Sequence, residues 1–337
     1  MTASYYSGMI TMSSNENRAD DSYLVADPLG DGNVEVLSAS NLYSQKIPLR
    51  RGKVRDVYDL GERLSIVTTD RISAFDVVYP TLIPHKGKSL HALSVFWFTK
   101  TDGIFPNHFL ASVDERTMMV RKAERIDVEW VCRGHLYGSA WRAYRDGART
   151  VSGVKLPDGL MMAEELTEVI ITPTTKSESG HDQEITRSEA IDNGLVTRDE
   201  WEELQEASFK LYDFYRSHSK RRGLIIPDFK LEFGRLNGGL VQIDEPPTHD
   251  SARYWAEEFY RPGKSQESTC LDKEFLRECL RRFGYTGDGP PPEIPANVVR
   301  EVSKRCVASY QVISGEKWLA AFHLGSVDDV MCELERG

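Results

Sequence analysis

The chain has 337 residues, with 40% hydrophobic and 28% charged side chains, the balance of a globular protein with room for a sizeable core. Its formal net charge of −10 excludes a general nucleic-acid binder, which needs a basic face, and leaves any anionic ligand to be held by local clusters of cations. Five scattered cysteines, no run of apolar residues long enough to span a bilayer and no basic-then-apolar leader give the expectation of a cytoplasmic protein with reduced thiols and no membrane partner.

In chain order, residues 1–42 are rich in Ser, Asn, Asp and Gly without periodicity, and read as a flexible N-terminal extension. Lys53–Leu60 and Leu64–Thr69 flank Gly61-Glu62 as a hairpin opening an α+β part. Ser89–Thr99 reads as a short amphipathic helix, Val120–Cys132 as two consecutive strands, and Gly138 as the start of another helix. Ile170–Thr186 is polar and holds Pro173 and Gly180, so it reads as loop. Thr197-Arg-Asp-Glu200 is a capping box opening a long helix that Lys220-Arg221-Arg222-Gly223 closes. Gly287–Pro295 is a connector, and Asn297 is placed to cap a final helix. Hairpins and helices without a βαβ rhythm give an α+β class.

The segment Asp228-Phe-Lys230-Leu-Glu232-Phe-Gly234 carries the sharpest chemical signal. Its alternation sets Asp228, Lys230 and Glu232 on one face of a strand, and Asn237-Gly238-Gly239 turns the chain so that Asp244 returns beside Glu232. Two carboxylates around a lysine form a hard oxygen site of the kind Mg²⁺ shares with water and phosphate. Arg51-Gly52-Lys53-Val-Arg55 offers a glycine and three cations, suited to phosphate or equally to a basic strand end in water. Thr69-Asp70-Arg71-Ile-Ser73-Ala-Phe-Asp76 is either turn chemistry or the wall of a polar ligand site. Arg133 with Ser139 at a helix start suits a monophosphate or plain capping, and Arg253 serves as a counter-ion or a phosphate clamp.

Taken together, these segments resemble the SAICAR synthetase (phosphoribosylaminoimidazole-succinocarboxamide synthase) family. The resemblance is carried by Gly52-Lys-Val-Arg-Asp-Val-Tyr-Asp-Leu60, Thr69–Asp76, Lys86-Gly-Lys88 with Ala92–Phe98, and Arg116-Thr-Met118. It continues through Val131–Gly134 with Gly138–Trp141, Thr172–Glu178 with His181-Asp182, Asp228–Gly234, Asp244-Glu245, Asp250–Arg253 and Pro292–Glu301. It implies a kinase-like, ATP-grasp-related N-terminal lobe (43–130), a larger α+β lobe (131–315) with ATP between them, and a C-terminal tail (316–337). The implied reaction joins L-aspartate to the carboxylate of carboxyaminoimidazole ribonucleotide (CAIR) through an acyl phosphate, giving SAICAR, ADP and phosphate in purine biosynthesis, by a monomer or homodimer.

By position, the resemblance implies that Gly52, Lys53, Arg55 and Lys176 serve ATP and that Glu232 and Asp244 hold Mg²⁺. Lys230 and Asp228 would act in catalysis, Arg133, Ser139, Asp250 and Arg253 would bind the imidazole nucleotide, and Asp70, Ser73 and Asp76 would meet aspartate. The segments Pro246–Ala252 and Ser268–Glu274 depart from the family pattern. They motivate an alternative in which a paralogue makes the same amide on another heterocyclic nucleotide. A phosphotransferase and a non-catalytic nucleotide-binding regulator are further readings.

Overall fold

The computed structural model describes residues 20–43, 46–175 and 183–336. Strands β1 (Asp21–Ala26) and β2 (Asn33–Ala39) form a hairpin. Next come β3 (Leu49–Arg51), β4 (Arg55–Asp59), β5 (Arg63–Thr68) and the small pair β6 (Ser73–Ala74) and β7 (Val77–Val78). Helix α1 (Lys86–Thr101) leads to β8 (Phe109–Ser112) and β9 (Thr117–Arg121). The long β10 (Glu124–His135) is followed by α2 (Gly138–Arg145), the pair β11 (Thr150–Val151) and β12 (Val154–Lys155), β13 (Glu165–Thr175) and β14 (Gln183–Glu184). Helices α3 (Arg187–Asp192) and α4 (Arg198–Lys220) precede β15 (Leu224–Ile225), β16 (Asp228–Leu236), β17 (Gly239–Ile243) and β18 (Trp255–Ala256). Helices α5 (Glu274–Arg282), α6 (Ala296–Ser314) and α7 (Val327–Arg336) end the chain.

Two antiparallel five-stranded sheets organise these elements, in the orders β3-β4-β5-β9-β8 and β14-β13-β10-β16-β17. The alternation of β10 and β16 sends Trp130, Cys132, Phe229, Leu231 and Phe233 to a core shared with Trp201, Leu204, Leu211 and Tyr215 of α4. The intervening polar residues are left on the opposite face. Helix α4 opens as its sequence dictates: the Glu200 amide donates to the Thr197 hydroxyl at 3.1 Å, and the Thr197 amide to the Glu200 carboxylate at 2.7 Å.

Five readings of the sequence are corrected. From Asp20 onward the N-terminal segment is ordered into a hairpin whose Val36, Leu37 and Ser40 are buried. Much of Ile170–Thr186 is strand: β-branched Thr172, Thr174 and Thr175 suit a pleated surface, and Pro173 is accommodated opposite Trp130. Helix α6 begins at Ala296 after Pro295, and Asn297 lies inside its first turn, donating to the Val330 carbonyl of α7. The segment after 316 carries α7, whose Val327 and Val330 pack into the core of α5 and α6. The first helix also starts earlier than predicted, at Lys86, whose side chain is buried.

Candidate active site

Between the two sheets lies a cleft of about 1190 Å³, lined by Gly52, Lys53 and Arg55 on one side and by Asp228, Lys230, Asp244, Asp250 and Arg253 on the other. Strand register builds its floor. On neighbouring strands Glu129 pairs with Glu232, Val131 with Lys230, and Arg133 with Asp228. Lys230 Nζ lies 2.6 Å from Glu129 Oε1 and 3.0 Å from Glu232 Oε1. Burial would depress its pKa, but Glu232 and Glu129 outweigh that and hold the ammonium well above the usual lysine range.

The loop-side cation facing this group is Arg55, 3.1 Å from both Asp244 and Glu245. Burial opposes its charge, and the carboxylates of Asp244 and Glu245 more than offset the penalty. Asp244 has φ +63°, a left-handed conformation that few non-glycine residues adopt; Asp tolerates it better than most. Glu232 and Asp244 are hard oxygen donors. No cluster of three or more His, Cys, Asp or Glu arranged for a metal occurs among the described residues. Mg²⁺ commonly takes one or two carboxylates and completes its shell with phosphate and water, so this donor set fits a metal that enters with a nucleotide.

At the other end of the floor, Arg253 places one guanidinium nitrogen 2.7 and 2.8 Å from the two oxygens of Asp228. Arg133 reaches Asp228 at 3.3 Å, the Ser139 hydroxyl at 3.0 Å and the Thr172 hydroxyl at 2.8 Å. Gly138 makes this convergence possible: its φ is +60°, and a Cβ there would stand 2.7 Å from the Arg253 guanidinium. Asp250 is buried between Lys86 at 3.2 Å and Lys273 at 3.4 Å. Burial acts to raise its pKa, yet the two lysines hold it below the usual carboxylate range.

Of the predicted residues, Gly52, Lys53, Arg55, Ser73, Asp76, Asp228, Lys230, Asp244, Asp250 and Arg253 line the one cleft. Glu232, Arg133 and Ser139 reach it through the bonds above. Lys53 is exposed and bonded to Asp76 at 2.5 Å. Asp70 is a correction: it is fully buried and accepts from the amides of Leu37 and Gly87 and from Arg116, each at 2.8 Å, so its lone pairs serve the fold and not a ligand. Lys176 lies outside the described residues. Sequence reasoning missed Glu129 and Lys273, and it left Lys86, which lies in a basic glycine segment, without a role. For Lys86 a signal existed, since it precedes Leu90, Leu93 and Trp97 on the buried stripe of α1.

The sequence model of SAICAR synthetase matches residues 48–290. The chain belongs to the SAICAR synthetase family. It is 39% identical to the phosphoribosylaminoimidazole-succinocarboxamide synthase of Thermodesulfovibrio yellowstonii, over 83% of this chain and 99% of that protein. It is 42% identical to the enzyme of the same name from Bacteroides thetaiotaomicron, over 80% of this chain and 87% of that one. Among solved structures, the SAICAR synthase of Saccharomyces cerevisiae, complexed with SAICAR, superposes with a TM-score of 0.75 at 33% identity, covering 83% of this chain and 99% of that chain. The fold class expected from the sequence is thus the family's own.

Proposed function

We propose that the cleft performs the family's reaction, the ATP-dependent ligation of L-aspartate to the CAIR carboxylate that yields SAICAR, ADP and phosphate. Membership of the family makes the chain an ATP-dependent amide-forming ligase of purine biosynthesis. The observation that carries the assignment of roles is the register of β10 with β16. It lines up a carboxylate–lysine centre and an arginine centre along one floor, in the same cleft as the Gly52–Arg55 loop.

A free carboxylate is a poor acylating agent. Its oxygen attacks the γ-phosphorus of ATP, ADP departs, and the acyl phosphate forms. The aspartate amine then adds to the acyl carbon, loses its proton, and expels phosphate as the amide bond closes. In this reading Lys53 and Arg55 face the ATP phosphates and Lys230 neutralises the charge gathering on the transferring group. Glu232 and Asp244 hold Mg²⁺, which when bound screens the phosphate oxygens from one another. Arg133, Ser139 and Arg253 take the nucleotide 5′-phosphate. Asp228, bonded to both arginines, keeps their forks aimed, and Asp250 turns toward the ribose or amino-imidazole. Ser73 and Asp76, at the cleft rim, remain for the amino acid, and Lys176 serves ATP.

The same reading takes residues 43–130 as the nucleotide-binding lobe and residues 131–315 as the larger catalytic lobe, with ATP between them. Among the described residues no helix is long and apolar enough to cross a membrane. Mass spectrometry of a reaction of the protein with Mg²⁺-ATP, L-aspartate and CAIR tests the proposal. A succinocarboxamide product that appears with ADP and requires aspartate is expected; folded, ATP-binding protein that yields none would transfer the proposal to another heterocyclic acceptor.

A further inference from the structure

The loop that carries Gly52 and Lys53 leaves β3, an edge strand whose three residues are all exposed, so the first sheet alone fixes it weakly. The Thr69 amide and hydroxyl hold its Val54 carbonyl at 3.0 and 2.8 Å, and Arg71 adds a fork that ties the loop to the N-terminal hairpin. This guanidinium donates to the carbonyls of Lys53 at 3.2 Å and Gly52 at 3.0 Å, to Asp56 at 2.8 Å, and to the carbonyl of Ser38 in β2. Asp56, fully buried, also accepts from Arg51 at 2.6 Å and from the Ser40 amide and hydroxyl at 2.8 and 2.9 Å. Leu37 exchanges two bonds with Asp70, its amide donating to the carboxylate at 2.8 Å and its carbonyl accepting from the Asp70 amide at 2.9 Å. The hairpin tip adds Asp27, 2.9 Å from His85 at the start of α1.

From these contacts we infer that the N-terminal hairpin, which precedes the region matched by the family, is a positioning element for the phosphate loop, acting through Arg71 and Asp56. The inference rests on the reading of Gly52–Arg55 as the ATP-phosphate loop. The planar fork of Arg71 spans two loop carbonyls, a carboxylate and a β2 carbonyl together, which a lysine cannot do. Arg71 and Ser40 touch no reacting atom in this scheme; they set where Lys53 stands.

The test compares Arg71→Met, Arg71→Lys, Ser40→Ala and Lys53→Ala in the full chain, with KM for ATP, KM for aspartate, kcat, thermal midpoint and amide exchange over residues 50–56. Arg71→Met is expected to raise KM for ATP about tenfold or more, with kcat and KM for aspartate within about threefold, and to speed exchange in the loop. Arg71→Lys recovers only part of the loss. Ser40→Ala moves KM for ATP in the same direction while KM for aspartate stays within about threefold, and it decides the matter if Arg71→Met does not fold. A raised KM for ATP in Lys53→Ala beside unchanged values in the Arg71 and Ser40 variants would overturn the hairpin's role alone. Both KM values rising together with a fallen midpoint would also overturn it, in favour of a merely structural contact. An unchanged KM for ATP in Lys53→Ala would sink the reading of the loop itself, and this inference with it.

Discussion

Glu129 and Glu232 stand directly opposite each other on adjacent strands, and Lys230 bonds to both. Like charges paired across a sheet repel, so the lysine is a stabilising counter-ion as well as the cation that the proposed function sets against the transferring phosphoryl group. Lys230→Met should cut kcat by about a thousandfold, the scale seen when a preorganised charge is lost at a developing anion. It should also lower stability by about 3 kcal/mol, because two buried carboxylates that face each other lose the cation between them. Steady-state kinetics and chemical denaturation measure the two effects separately.

Glu232→Ala and Asp244→Ala are each expected to abolish detectable turnover while circular dichroism stays native. In Glu232→Gln and Asp244→Asn, residual activity should require much higher Mg²⁺, read from a magnesium titration at saturating ATP. Undiminished activity in either alanine variant would remove that residue from the proposed metal pair.

Gly138→Ala puts a methyl group 2.7 Å from Arg253 and asks alanine to hold φ +60°. The arginine must retreat from its position beside Asp228. KM for the imidazole nucleotide should rise about tenfold or more, while KM for ATP changes little. Equal changes in both would mean a general distortion.

Asp70→Ala tests the correction made above. Three donors lose their acceptor in a buried place, so stability should fall by about 2–4 kcal/mol. KM for aspartate should stay within about twofold of the parent value, since Asp70 contacts no ligand in this reading. A large rise in that KM, with stability kept, would restore Asp70 to the substrate site.

Glu200 illustrates the pH dependence of the fold. Arg235, bonded to it at 2.5 and 2.9 Å, is the main reason its carboxyl is lowered to about 2 against the usual 4.5. A depressed folded-state pKa contributes stability that is present above about pH 4.5 and is lost as pH falls toward 2. Glu200→Gln should therefore cost about 1–2 kcal/mol at pH 7 and almost nothing at pH 2, and denaturation at the two pH values measures the difference.

The β16–β17 hairpin was legible because its information is local: alternation chose the face, and Asn237-Gly238-Gly239 chose the turn. The capping box at Thr197 was legible for the same reason. Glu129 was not, because its meaning lies in which strand pairs beside it, a contact 101 residues away in sequence. Asp70 misled because an aspartate after a strand looks the same whether it greets a ligand or three internal donors. These donors arrive from residues 37, 87 and 116. Strand β13 was hidden by Pro173 and its hydroxyls, which suggest a loop until β10 is seen beside it.

Trp97 and Phe98 are consecutive, fully buried, and belong to different cores. Trp97 stacks its edge on Tyr215 under the second sheet, whereas Phe98 packs with Ile66, Met118 and Val120 of the first. Helix α1 is thus a strut riveted at both sides, and the sheets cannot swing apart as rigid jaws without tearing a close-packed interior. Whatever enters the cleft then meets a frame that α1 holds fixed, and adjustment costs least at the exposed Lys53–Asp76 rim, where no core packing has to be broken.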